Sequence, residues 1–188
     1  MKKIIALLLV LATVFVLAAC GKKDSGKQDP TPASALEVLE KVWATYAENE
    51  KFYAMGGDFN EPLENAPGKF SLEDSEAVTA SLAVPADQQK NIDQAASLTH
   101  GMMVNNFTCG VFHMAQGADA KAFADAMHAA IGSNQWICGA PEQMLIAIIG
   151  GEYVLSAFGS SELIKTFQNR LAGVYPNADI RYQDAITG

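Results

Sequence analysis

The amino-acid sequence predicts an α+β domain: an antiparallel sheet of three to five strands with helices packed on one face, preceded by a helical N-terminal part. Three observations predict it. The runs FTCGVFHM (107–114) and QMLIAII (143–149) are rich in β-branched, aromatic and other apolar residues over strand length. Gly150-Gly151 then separates the second run from a third, 152–158, as a tight hairpin would. Stretches of helical apolar period follow the first and third runs, giving the order β-α-β-β-α expected of helices layered on an antiparallel sheet.

The elements follow in chain order. Ser34 is placed to cap a helix whose inward residues are Leu36, Leu39, Val42, Trp43 and Tyr46, ending near Asn49. Residues 52–69 carry Gly56, Gly57, Pro62, Pro67 and Gly68 and read as turns around short extended pieces. A short helix is expected over 72–82, with Ser71 as its cap and Asp74 in its first turn, and Pro85 opens another turn or two of helix. Residues 98–104 pair with the strand 107–114 through Asn105-Asn106, a dipeptide tolerant of left-handed turns. Asp119 caps a helix that turns Phe123, Met127, Ala130 and Ile131 inward and ends at Gly132. Ser160 or Ser161 caps the last helix, with Leu163, Ile164, Phe167 and Leu171 inward and Gly173 stopping it. Ile180 to Tyr182 adds an edge strand.

The N-terminus follows other physics. Lys2 and Lys3 precede an apolar run, 4–19, broken only by Thr13. At about 1.5 Å per helical residue it spans ~24 Å, short of the ~30 Å hydrocarbon core, which describes a secretory signal peptide rather than a span. Its ending, Leu17-Ala18-Ala19-Cys20, resembles the bacterial lipobox, in which the peptide is cut before a lipidated cysteine. The expected organisation is a signal peptide over 1–19 and a flexible tether over 20–33 hanging from lipidated Cys20. One extracytoplasmic domain over 34–188 follows, comprising a helical and loop part (34–94) and a sheet core (95–188). Two acyl chains on Cys20 give the two-signal anchoring that one chain cannot. The tether is too polar to fold, and its lysines attract an anionic membrane surface. The predicted location is the extracytoplasmic face of the cell membrane.

Charge narrows the partners. From Ala33 onward 8 Lys and Arg stand against 19 Asp and Glu, a formal charge of −11. Such a surface repels nucleic acid and anionic polymers, so the predicted partners are the membrane, through the anchor, and a protein or small molecule that the sequence does not identify.

With the lipobox-like ending, the helical acidic stretch and the motifs NNFTCGVFHM and LIAIIGGEYVLSAFGSSELIKTF in view, residues 72–175 resemble a group of small lipoproteins. The group comes from clostridia and related Gram-positive bacteria and carries a domain of unknown function. The resemblance implies the fold and the location, and brings no activity or catalytic residues with it.

Few residues invite chemistry. Gly56-Gly57-Asp58-Phe59 starts like the signature of cyclic-dinucleotide synthases but lacks its second acidic residue, and reads as a turn before an aromatic. His100, Cys109, His113, His128 and Cys138 show none of the local spacing of metal ligands, and no metal or other cofactor is expected. Cys109 and Cys138 are the two cysteines left once Cys20 is lipidated, and they form a candidate disulfide; two buried thiols are the competing reading. The aromatics Trp43, Tyr46, Phe52, Tyr53 and Phe59 outnumber what one helix needs and are candidates for a ligand groove between the N-terminal part and the sheet. The expected function is that of a non-enzymatic binding or accessory domain; a surface enzyme using Cys109 or acidic residues is the alternative.

Overall fold

In the computed structural model, which describes residues 29–137 and 139–186, eight strands join in one antiparallel sheet. They are β1 (Ala54–Gly56), β2 (Leu63–Glu64), β3 (Gly68–Phe70), β4 (Ile92–His100), β5 (Phe107–Met114), β6 (Gln143–Ile149), β7 (Tyr153–Gly159) and β8 (Asp179–Ala185). The helices are α1 (Ala35–Trp43), α2 (Ser75–Leu82), α3 (Ala120–Gly132) and α4 (Ser161–Val174). The strand order is β2-β1-β4-β5-β7-β6-β8, with β3 also paired to β4.

The pieces expected among turns over 52–69 supply the extra strands. β1 pairs with Leu98, Thr99 and His100 and β3 with Ala95, Ala96 and Ser97, so the two lie end to end along one edge of β4. They meet at Gly56 and Gly68, where a side chain has no room: a Cβ on Gly56 would lie 2.3 Å from the Gly68 nitrogen. β4 starts earlier than the expected 98–104 and ends at His100, so a short loop followed by a 3-10 turn at Val104–Asn106 replaces the two-residue turn. The β6–β7 hairpin stands where the glycine pair puts it. Gly150 and Gly151 have φ of +61° and +80°, conformations that β-branched residues resist.

The helices cover both faces of the sheet, not one. Leu145, Ala147 and Ile149 of β6 pack with α1 and α4, while Met144, Ile146 and Ile148 pack with α2 and α3. Strand direction explains the correction. The units β5-α3-β6 and β7-α4-β8 each join parallel strands across one intervening strand and step the same way along the sheet, but their strands run in opposite directions. Crossovers of one hand must then place their helices on opposite faces. The near-continuous apolar runs of β6 and β7 agree, because a strand covered on both sides cannot alternate.

Caps set the helix starts. Ser34 Oγ accepts from Glu37 N–H for α1, Asp119 from Lys121 and Ala122 for α3, and Ser160 from Leu163 for α4. For α2 the cap is Asp74, accepting from Glu76 and Ala77, rather than Ser71. α1 ends at Trp43, sooner than expected, and α4 runs past Gly173 to Val174. Among the described residues no helix is long and apolar enough to cross a membrane. The expected signal peptide, the expected lipidation site at Cys20 and most of the expected tether lie outside the described residues.

Candidate functional site

Side-chain size along three strands makes a hollow on one face. On the side of α2 and α3, β4 presents Ser97 and Thr99, β5 presents Thr108 and Gly110, and β7 presents Ser156 and Phe158. Register aligns them in two rows, Ser97–Gly110–Ser156 and Thr99–Thr108–Phe158. The next row, Ala95–Phe112–Val154, is filled, with the Phe112 ring set edge-on against Phe123 of α3 at 5.5 Å. Where the side chains are short, a cavity of about 360 Å³ opens, at the lower end of the ~300–1,000 Å³ usual for small-molecule sites. Its walls are largely apolar: Met55, Phe70 and Leu82 on one side, Phe59 and Pro62 over it, and Val104, Trp136 and Phe158 on the other.

The polar groups of the floor are hydroxyls. Ser97 Oγ donates to the Gly57 carbonyl at 2.9 Å, Thr99 Oγ1 to Met55 at 3.0 Å and Thr108 Oγ1 to Val104 at 2.9 Å. These three hydroxyl hydrogens are used within the protein, so their oxygens keep only acceptor capacity, whereas Ser156 Oγ on the same face is buried without a hydrogen-bond partner. No Lys or Arg lines the cavity, and Asp58 is its one acidic residue. That carboxylate accepts the backbone N–H groups of Asn60, Glu61 and Ser71 at 2.8, 3.1 and 3.0 Å. Burial would raise its pKa, but the three N–H donors outweigh burial and hold it below the usual carboxylate range. Asp58 therefore shapes the loop over the cavity, as the turn reading of Gly56-Gly57-Asp58-Phe59 requires.

The loops bordering the cavity are unusually apolar for a surface. Phe59, Met102, Met103, Val104 and Ile137 are each more than half exposed. Asn105 joins two of these loops, its Nδ2 donating to Ile137 and Gly139 carbonyls at 2.9 and 2.7 Å. Trp136 lies against Phe158 with ring centroids 4.9 Å apart, and its Nε1 is enclosed without a hydrogen-bond partner.

The aromatics expected to form a groove are divided between places. Trp43 and Tyr46 are buried under α1 on the closed face, their rings 4.8 Å apart, and Trp43 Nε1 donates to the Asn65 carbonyl. Phe52 continues that stack to Phe107 and to His100. Tyr53 is half exposed, and Phe59 alone of the group lines the cavity. Sequence reasoning missed Ser97, Thr99 and Thr108. Their signal was a run of small and hydroxyl residues at alternating strand positions, where a filled face needs large apolar ones.

Cys109 is a free, wholly buried thiol on the face of α1 and α4, and burial pushes its pKa well above the ordinary thiol value. It stands four residues from His113, about 13 Å along an extended strand, which is too far for a catalytic pair. Cys138 lies outside the described residues. The histidines have separate surroundings: His113 meets Asp93 at 2.5 Å, His128 meets Asp184 at 3.0 Å, and His100 Nδ1 accepts from Met102 and Met103. Among the described residues no three His, Cys, Asp or Glu gather.

The chain enters the domain at the other end of the sheet. The Pro32 carbonyl accepts from Tyr153 Oη at 3.2 Å, and Asp29 accepts from Asn177 N–H at 3.0 Å. A second depression there, about 820 Å³, is bounded by residues 29–32 themselves and by the Gly150-Gly151 turn. Tyr153 begins β7 and Phe158 lies by its end, so entry and cavity are separated by about 17 Å of strand. No family model matches the chain, and neither a curated protein nor a solved structure matches it.

Proposed function

We propose that this chain is a lipid-anchored extracytoplasmic domain that binds a small molecule in the cavity between β4, β5, α2 and the Trp136 loop. Its place among small clostridial-type lipoproteins is part of the same proposal. The observation that carries the binding reading is the cavity itself: apolar walls, a few aligned hydroxyls, and exposed apolar side chains on the loops that border it, at the end of the sheet remote from residues 29–32. A tether leaving from the Tyr153 end lets the mouth face away from the bilayer. The Leu17-Ala18-Ala19-Cys20 ending supports the anchor. The alternative of a surface enzyme working through Cys109 has a buried thiol against it, one whose pKa burial raises.

Cys20→Ala tests the anchor. In cells expressing the full chain, the variant is expected to leave the membrane fraction or to accumulate as uncleaved precursor. Membrane retention at mature length would refute the lipoprotein reading.

A further inference from the structure

We infer that the ligand of this cavity is an organic cation, an amine or quaternary ammonium on an apolar body; the inference rests on the binding reading above and names its chemistry. Three independent features of the lining converge on it. The floor hydroxyls of Ser97, Thr99 and Thr108 have spent their hydrogens on backbone carbonyls and offer only acceptors, which match the donors of an ammonium group or its polarised methyls. Neither Lys nor Arg lines the cavity, and the Nδ1 of its one histidine, His100, accepts from the Met102 and Met103 N–H groups; in a domain of formal charge −11 from Ala33 onward, the surrounding field concentrates cations and repels anions.

The third feature is Trp136. Its enclosed, unpartnered Nε1 carries the cost of an unmade hydrogen bond, a cost that phenylalanine or leucine in the same place would avoid. What the indole offers over either is the strongest π-face among side chains for a cation, and it stands at the wall beside Phe158. Asp58 adds negative charge to the lining, but backbone N–H groups take three of its roughly four acceptor positions, so it offers little for a direct bond. Recognition therefore falls to the aromatic wall and the hydroxyl floor.

The test uses three dansyl sulfonamides of one length, ending in an ammonium (dansylcadaverine), a methyl (N-pentyl dansylamide) or a carboxylate (dansyl-aminohexanoate). Each is titrated by fluorescence into the soluble domain released by Cys20→Ala or expressed without residues 1–20. The ammonium probe is expected to bind at least tenfold more tightly than the carboxylate and several-fold more tightly than the methyl probe. Trp136→Leu should cut the ammonium probe's affinity about tenfold and leave the methyl probe within twofold, while Trp136→Phe should recover part of the loss. Ala80→Phe, a change at an exposed position of α2 on the cavity wall, should weaken all three. Equal binding of ammonium and methyl probes, both blocked by Ala80→Phe, would overturn the cation inference and leave the binding reading standing. Failure of all three probes to bind, or binding indifferent to Ala80→Phe, would overturn both.

Discussion

The two faces of the sheet are built by alternate residues of the same strands, yet one is closed and the other hollow. On the α1/α4 face, β5 contributes Phe107, Cys109 and Val111, which meet Leu145, Leu155, Phe167 and Leu171 in a continuous core. On the α2/α3 face the same strand contributes Thr108 and Gly110 before Phe112 restores the filling. Both faces carry two helices, so the hollow does not come from a missing layer. Close packing makes each face respond to side-chain volume, and a few short residues in register are enough to open space for a ligand.

Neighbouring substitutions on β5 should separate the faces. Phe107→Ala empties a fully buried site on the closed face and is expected to cost about 3–5 kcal/mol in chemical denaturation. Thr108→Val, one residue along and facing the hollow, removes only its bond to the Val104 carbonyl and should cost about 1 kcal/mol. Equal costs would mean that the open face is packed as tightly as the closed one. A change that serves both faces at once comes next in size. Replacing Gly150 and Gly151 together with valine meets no neighbour within 4 Å, so the cost is purely conformational, about 2–4 kcal/mol, and thermal melting should show it as one cooperative shift. A shift near zero would remove the hairpin from the fold.

The smallest effect has the opposite sign. Tyr46 Oη lies buried on the closed face without a hydrogen-bond partner, and burial pushes its pKa upward. Tyr46→Phe is expected to raise stability by about 1 kcal/mol, since it deletes an unmet polar group and keeps the ring contacts with Trp43. Destabilisation by a similar amount would show that the hydroxyl is satisfied and that the closed face is more polar than it looks.

Local chemistry made much of this legible in advance. The turn at Gly150-Gly151, the caps at Ser34, Asp119 and Ser160, and the inward residues of α3 and α4 depend on neighbours within a few positions, where propensity and period act directly. The start of β4 was harder to read, because Ile92 to Ser97 carries few β-branched residues and becomes a strand through pairing with β3 and β5.

The amino-acid sequence by itself determined the α+β class, the order of the C-terminal elements and the acidic surface, and it carries the lipobox-like cysteine on which the proposed anchor rests. Tertiary structure alone decided that the helices divide between two faces, because the hand of a crossover acts only once strand directions are set. It also decided that Trp43 and Tyr46 are core while Phe59 and Trp136 border a cavity, since residues distant in the chain become neighbours or strangers only through the register of β1, β4, β5 and β7.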